Sequence, residues 1–305
     1  MNSSEEYQKK VAFFGNAVTS VIRTDMPKTP IDYGMKYKDV SFTALDGIKI
    51  AAWYIPASSP SDKLILMTHP LNFNKYGFVP PEELKAFANV PVEFMPAAKH
   101  LHKAGYNILT MDLRNHGDSD SYNNNQTGSG TYEWQDVAGM MKYVNENKEL
   151  KHMQKAFLSY CVGAKSTLAA ITHAPEYFND IKAIISVQAL SVDVAAENMA
   201  KNQLGIENTD QFVEDLREYL KKEKNISLAD MSPRDYVKHL KCPIMYVQIK
   251  NDKTTSPSDT QEFYDNTPTE KELLWIEGDL HRFEGYNYLG KHPEKMLEFF
   301  AKYFK

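Results

Sequence analysis

The chain has 305 residues, of which 42% are hydrophobic and 25% are charged, which is ample for one large core. Its net charge of −5 argues against a nucleic-acid-binding protein, which needs a basic face for phosphates. No run of about 18 apolar residues occurs, so the sequence excludes a transmembrane helix. We therefore expect neither nucleic acid nor a membrane as a partner.

The N-terminal segment is polar and predicts an amphipathic helix over residues 5–22. It lacks the cationic and apolar regions of a secretion signal, so we expect a cytoplasmic protein. The chain contains two cysteines, Cys161 and Cys242. We expect both to stay reduced, because a chain of this size needs no disulfide in a reducing compartment.

The rest of the chain alternates strand-like apolar runs with helical patterns, which is typical of a mainly parallel sheet covered by helices. The runs 40–43 and 48–54 are separated by an Asp-Gly step, which predicts a hairpin. Further strands are predicted, in chain order, at 64–68, 107–113, 156–160, 181–187, 243–249 and 272–276. Helices are predicted at 94–104, 132–146, 164–173, 258–264 and 292–303.

Residues 189–240 break this alternation, because amphipathic helices follow one another there without a strand between them. One of these helices is predicted over 209–224. We interpret the stretch as a helical cap inserted into an α/β core. The predicted organisation is an N-terminal helical extension at 1–38, a core at 39–188 and 241–305, and the cap at 189–240.

The segment after the strand at 156–160 places a nucleophilic side chain at a sharp strand-to-helix turn. Ser159 and Gly163 flank Cys161 at two residues on either side, and a tight turn tolerates only small residues there. The side chain at the apex projects above the sheet, and the N-terminus of the next helix points at it, which favours a reactive thiolate. Packing of a buried thiol is the alternative reading of Cys161. Cys242 stands before a proline without such a turn, and we interpret it as packing.

This segment resembles the nucleophile elbow Gly-x-Ser-x-Gly of the α/β-hydrolase superfamily, read here as Ser159-x-Cys161-x-Gly163. With a cysteine in the position of the nucleophile, the segment resembles the dienelactone-hydrolase-like branch of this superfamily and some related thioesterases and acyltransferases. The resemblance extends from about Val40 to the end of the chain. It implies an eight-stranded, mostly parallel sheet flanked by helices. The stretch 112–119 resembles a loop that shapes the site in this superfamily without being catalytic.

The resemblance also implies a chain order of nucleophile, acid and base. Asp252 follows the strand at 243–249 and is the implied acid, with Asp279 as its competitor. His281 follows the last strand and is the implied base. Helix or turn capping is the alternative role of Asp252, and surface solvation that of His281.

An oxyanion hole needs two backbone N–H groups. The superfamily pattern implies Val162 for one, and the loop after the strand at 64–68 for the other. Pro70 departs from that pattern because proline has no N–H, so Leu71 is the expected donor and Asn72 the second choice. We expect His69 to form structural hydrogen bonds.

These residues predict a hydrolase that cleaves an ester or thioester through a Cys161–His281–Asp252 triad and an acyl-thioester intermediate. The alternatives are an acyltransferase that passes the acyl group to an alcohol, amine or thiol, and a non-catalytic binding protein of the same fold. The expected partner is a small acyl substrate, with no cofactor and no metal. The stretch 163–167 resembles the end of a phosphate-binding loop but lacks its Gly-Lys step. Phe73, Tyr76, Phe78 and Tyr286 are candidate pocket walls, with plain core packing as the alternative.

Overall fold

An eight-stranded sheet forms the centre of the structure, a computed structural model that describes residues 3–85 and 88–304. Its strands are β1 (Lys38–Thr43), β2 (Lys49–Ile55), β3 (Lys63–Thr68), β4 (Asn107–Met111), β5 (Gln154–Tyr160), β6 (Ile181–Val187), β7 (Ile244–Ile249) and β8 (Lys271–Ile276). They lie in the order β1-β2-β4-β3-β5-β6-β7-β8. β2 is antiparallel to β1 and β4, and all other neighbours are parallel. The predicted fold class is confirmed.

Helices cover both faces of the sheet. They are α1 (Ser3–Thr19), α2 (Met95–Lys103), α3 (Trp134–Glu146), α4 (Val162–His173), α5 (Val192–Asn202), α6 (Thr209–Tyr219), α7 (Pro257–Asn266), α8 (Arg282–Tyr286), α9 (Tyr288–Lys291) and α10 (Glu294–Tyr303). One core lies under α3, α4 and α7, and the other under α2 and α8–α10. None of the helices in these ranges has the length and apolar character needed to cross a bilayer. Because β3 and β5 are parallel central neighbours, the loops after their carboxyl ends meet at one edge.

The Asp-Gly hairpin is confirmed, since β1 and β2 pair antiparallel across it. The helix predicted over 209–224 is present, although its last turn is not α-helical. There α6 ends at Tyr219 and a π-helical turn, Leu220–Lys224, follows. The N-terminal helix ends at Thr19 rather than at residue 22, because Ser20 leaves the helix and forms a β-bridge with Gln126.

The N-terminal helix shares a core with the helices between β6 and β7. Val11 and Phe14 of α1 are buried together with Ala196 of α5 and with Phe212 and Leu216 of α6. The ring of Phe14 meets that of Phe212 edge-on at 6.2 Å. The first helix of the chain therefore packs on the segment that the sequence marks as the cap.

We predict that Gly139→Ala lowers the stability of the fold. An alanine normally stabilises a helix interior by about 1 kcal/mol over glycine. A Cβ at Gly139 of α3, however, would lie 2.6 Å from the Cα of Ala44 and from the carbonyl oxygen of Thr43. Because backbone atoms cannot move aside cheaply, we expect a loss of about 1–3 kcal/mol in the free energy of unfolding, measured by urea denaturation.

Lys142→Ala is the matched control, because Lys142 lies on the exposed side of the same helix. We expect it to change stability by no more than about 0.5 kcal/mol. A Gly139→Ala protein as stable as the wild type would show that α3 does not approach the β1–β2 hairpin this closely.

Candidate active site

Cys161 stands alone between β5 and α4, in a backbone conformation that side chains rarely adopt. Its φ is 46° and its ψ is −110°. Its N–H donates to the carbonyl of Val187 at 2.8 Å, and its carbonyl accepts from the N–H of Lys165 at 3.0 Å. Strain of this kind costs of the order of 1–3 kcal/mol and persists only where the surroundings fix it. The turn therefore holds the thiol in one place, above the end of the sheet.

The small residues on either side of Cys161 fit for different reasons. A Cβ at Gly163 would lie 2.5 Å from Thr68 Oγ1 and 2.8 Å from the amide nitrogen of His69, so only glycine fits against β3. The Gly163 N–H donates to the His69 carbonyl at 3.0 Å. Ser159, where the superfamily has glycine, is buried, and its hydroxyl pairs with that of Thr167 at 3.0 Å. Serine is thus accommodated by one internal hydrogen bond.

Two buried histidines fix the loop after β3. His69 Nδ1 lies 2.7 Å from the Pro70 carbonyl oxygen, and its Nε2 accepts from the Leu113 N–H at 2.9 Å. His116 Nε2 accepts from the N–H of Asn72 at 3.1 Å. Both rings act as structural hydrogen-bonding groups, as expected for His69. Each accepts through Nε2, which requires the neutral form.

The two predicted oxyanion donors face the same cavity as the thiol. Leu71 and Val162 line a cavity of about 210 Å³ together with Cys161. Among the described residues, neither of their N–H groups donates a hydrogen bond, whereas that of Asn72 is used by His116. Leu71 is therefore the better placed of the two candidates in this loop. Pro70 takes part in the turn only through its carbonyl, which accepts from Phe73 N–H at 3.3 Å.

Asp252 is buried in the loop after β7 and is held by three donors. Its carboxylate accepts from the Thr254 N–H at 2.8 Å and from Gln248 Nε2 at 3.0 Å. The third donor is Arg282 Nη1, which forms an ion pair with it. Asp279, the competing acid, is exposed and forms an ion pair with Lys253.

Arg282 bridges the predicted nucleophile and the predicted acid. Its Nη2 lies 3.7 Å from Cys161 Sγ, while its Nη1 donates to Asp252. The same Nη2 donates to the carbonyl oxygen of Gln188, and Nε donates to Tyr286 OH at 3.0 Å. Burial opposes the charged form, but attraction to Asp252 outweighs it and raises the pKa of Arg282 above its usual value. A permanent cation thus lies next to the sulfur.

The structure does not place His281 between Cys161 and Asp252, which is where the triad requires it. The His281 side chain is exposed and caps α8, its Nδ1 accepting from the Phe283 N–H at 3.1 Å. The predicted position of the base is occupied by the next residue, Arg282. The reason is local: as first residue of α8, Arg282 turns inward to the buried Asp252, which leaves residue 281 on the outside. His281 as base stays a prediction, since it requires the start of α8 to change conformation.

Most of the candidate aromatic walls belong to the core. Phe73, Tyr76 and Tyr286 are buried in the cluster under α2 and α8–α10. Phe78 is buried there too, although it also borders a second cavity of about 550 Å³. That cavity and the one at Cys161 share lining residues from α1, α5 and the loop after β3, namely Ala17, Met199 and Leu71.

Sequence reasoning missed three features of the site. Arg282 was not among the predicted site residues, because the neighbouring His281 fits the expected position of the base. An arginine next to that position is itself a signal. Lys165 was read only as part of an incomplete phosphate-binding motif, yet it lines the cavity at Cys161. The role of α1 as a wall of that cavity had no signal, because its amphipathic pattern does not say what it covers.

No protein-family model matches the chain, and no curated protein matches it. Solved structures do. An esterase of Pyrococcus furiosus shares 20% identity with a TM-score of 0.67, covering 93% of this chain and 96% of that one. The α/β-hydrolase GrgF of a Penicillium species shares 20% identity with a TM-score of 0.62, covering 88% and 99%. A dienelactone hydrolase of Anabaena variabilis shares 14% identity with a TM-score of 0.58, covering 89% and 99%. The chain has the α/β-hydrolase fold.

We predict that the two buried histidines, His69 and His116, make the protein sensitive to mild acid. Burial lowers the pKa of His69 to about 4, and burial together with the neighbouring His69 lowers that of His116 as well. Below about pH 6.5 the unfolded chain takes up protons at these positions that the folded chain does not, so stability falls as the pH falls. Each histidine contributes a slope of about 1.4 kcal/mol per pH unit between its two pKa values.

The measurement is urea denaturation of the wild type and of His116→Gln between pH 8 and pH 4. We expect the variant to lose less stability on acidification, since glutamine cannot take up the proton. His152→Gln, at an exposed histidine, is the control and should keep the wild-type slope. Identical slopes for all three proteins would contradict a neutral, buried His116.

Proposed function

We propose that the chain is a hydrolase that cleaves an ester or thioester through an acyl-thioester on Cys161. The observation that supports this most is the strained turn of Cys161, which presents its sulfur to a cavity shared with Leu71 and Val162. Their two N–H groups, without acceptors in the described residues, suit the oxygen of a tetrahedral intermediate. The esterase and dienelactone hydrolase with the same fold are consistent with this chemistry, as an analogy.

The first half of the proposed reaction uses groups that already lie together. The Cys161 thiolate attacks the carbonyl carbon, and the electron pair of the carbonyl moves to its oxygen, which accepts from Leu71 and Val162. Collapse of this intermediate breaks the bond to the alcohol or thiol, which leaves as an anion and takes a proton from the site or from water. Arg282, held by Asp252, favours the thiolate before the attack.

The second half needs a base, since water must lose a proton as it attacks the acyl-thioester. We propose His281 for this role, with Asp252 as the acid that orients it. His281 would reach the sulfur by exchanging places with Arg282 at the start of α8. This exchange would move the cation away from the sulfur once the thiolate has been consumed.

Acyl transfer is the second candidate function, and the position of Arg282 favours it. A guanidinium keeps its proton and cannot act as a base, so the arrangement with Arg282 inward assists acylation but not attack by water. A thiol that ionises by itself could then accept the acyl group without a base. A non-catalytic binding protein is the remaining alternative, and it predicts no acyl adduct at all.

We predict that Cys161→Ala forms no acyl adduct with p-nitrophenyl esters or with acyl thioesters of N-acetylcysteamine, while wild-type protein gains the mass of one acyl group. The measurement is intact mass spectrometry, with the adduct located by peptide mapping. Cys242→Ala is the matched control and should acylate like the wild type. Its thiol is buried, and burial raises the pKa of Cys242 to about 12, which keeps it unreactive. An adduct that persists in Cys161→Ala would remove the nucleophile assignment.

The two neighbouring residues at the start of α8 are expected to affect different steps. With His281→Ala, the acyl-thioester should still form but break down about 10²–10⁴-fold more slowly, because the base is lost. With Arg282→Gln, alkylation of Cys161 by iodoacetamide at pH 7 should slow several-fold, because the sulfur loses its cation. Both are measured by time-resolved mass spectrometry, with His152→Ala as a control at an exposed histidine.

The outcomes separate the candidates. Unchanged deacylation in His281→Ala would rule out His281 as the base. If the acyl-thioester of the wild type is stable in water but discharges to an added thiol, the chain is an acyltransferase.

A further inference from the structure

Lys165 lies one helical turn beyond Cys161 on α4, and its side chain has no part in the proposed reaction. Only 2% of the residue is exposed. It lines the cavity of about 210 Å³ that also contains the thiol. A buried lysine at the wall of a candidate substrate cavity calls for a partner of opposite charge.

The described residues give the Lys165 ammonium only neutral partners. Its Nζ donates to the Met231 carbonyl at 2.8 Å and to Ser129 Oγ at 3.3 Å. An ammonium has three protons, so one is left without an acceptor among the described residues. Burial without a paired carboxylate lowers the pKa of Lys165 to about 8.

The nearest acids are committed to other groups. Glu133 accepts from the N–H of Gly130 at 2.7 Å and from two further donors of the same loop. Asp193 and Asp259 both form ion pairs with Arg234. The groups whose negative charge would attract the ammonium, Cys161 as a thiolate first among them, act only at a distance, and none of them hydrogen-bonds to it.

Ser129 adds a second donor beside Lys165 in the same cavity. It is buried, and its φ of 49° is one that serine rarely adopts. Its N–H donates to Thr127 Oγ1 at 3.0 Å, which holds the strained turn. The Ser129 oxygen accepts from Lys165, so its hydroxyl proton remains available for an oxygen atom in the cavity.

The rest of the cavity wall is largely apolar and comes from α1, α5 and the loops around the elbow. Among these lining residues are Phe14, Val18, Leu71, Leu190, Val192 and Met199. Cys161 and Lys165 thus lie on one cavity whose wall is otherwise largely apolar. It suits an acyl chain that carries a negative charge at its far end.

We propose that Lys165 and Ser129 bind the terminal carboxylate of the acyl group, an inference that rests on the proposed function. The substrate is then an ester or thioester of a short dicarboxylic acid. The apolar wall then packs on the methylene groups between the two carbonyl carbons. The ester end lies at Cys161 and at the N–H groups of Leu71 and Val162.

The test compares monoethyl glutarate with ethyl valerate, which differ only in the carboxylate at the far end. Binding is measured at pH 7 by isothermal titration calorimetry on Cys161→Ala, so that no reaction is needed. We expect this protein to bind monoethyl glutarate at least tenfold more tightly than ethyl valerate. Adding Lys165→Met, which keeps the length of the side chain and removes the charge, should abolish the preference, and Ser129→Ala should reduce it.

Lys253→Met is the matched control, because Lys253 also lines the cavity but is exposed and paired with Asp279. The preference should survive this change. Arg282→Gln tests the other cation near the thiol and should likewise leave the preference in place. Equal binding of the two esters, a preference that survives Lys165→Met, or one that is lost only with Arg282→Gln would overturn the proposal.

The result is separable from the proposed function. If the wild type cleaves ethyl valerate as fast as monoethyl glutarate and binds both equally, the hydrolase proposal is supported and the carboxylate site is ruled out. If Cys161→Ala shows the Lys165-dependent preference but the wild type forms no acyl adduct, the carboxylate-binding site is supported and the acyl-thioester chemistry is ruled out.

Discussion

The strained turn at Cys161 is the constraint on which the rest of the site depends. A left-handed φ at a non-glycine residue is unfavourable, and here it is sustained by hydrogen bonds on both sides of the residue and by contact of Gly163 with β3. Because the turn is fixed, the sulfur, the first amide of α4 and the loop after β3 stay in register with one another. A looser turn would separate the thiol from both predicted oxyanion donors.

The second constraint is the charged pair of Asp252 and Arg282 near the sulfur. Asp252 is buried at the end of β7 and needs a cation or several donors to offset its burial. Arg282 supplies the cation and, through its second nitrogen, brings a positive charge to the thiol. A histidine in the same place would supply a base and a weaker charge. Which of the two neighbouring residues faces inward therefore decides whether a permanent cation or a potential base lies beside the sulfur.

Much of the fold followed from local patterns, whereas the site followed only in part. The alternation of apolar runs and helical periods predicts the eight strands, and Asp-Gly predicts the hairpin, because both depend on short stretches of chain. The elbow residues are also local, and Cys161 adopts the strained turn that their pattern predicts. The pairing of Asp252 with Arg282 joins residues thirty positions apart. The start of α8 decides which of residues 281 and 282 points inward. No sequence pattern within β7 or β8 determines where that helix starts.

The walls of the cavity are a second feature that local sequence patterns do not predict. Helix α1 comes from the start of the chain, yet it packs on α5 and α6 and contributes Phe14, Ala17 and Val18 to the cavity at Cys161. Its amphipathic pattern predicts that one face is covered, but not by what. Since this helix and α5 contribute apolar side chains to the cavity wall, they lower the local dielectric constant and strengthen the effect of every charge there. An unpaired ammonium at Lys165 costs most in such a place, and for the same reason we expect it to discriminate most strongly in favour of a ligand that carries the missing negative charge.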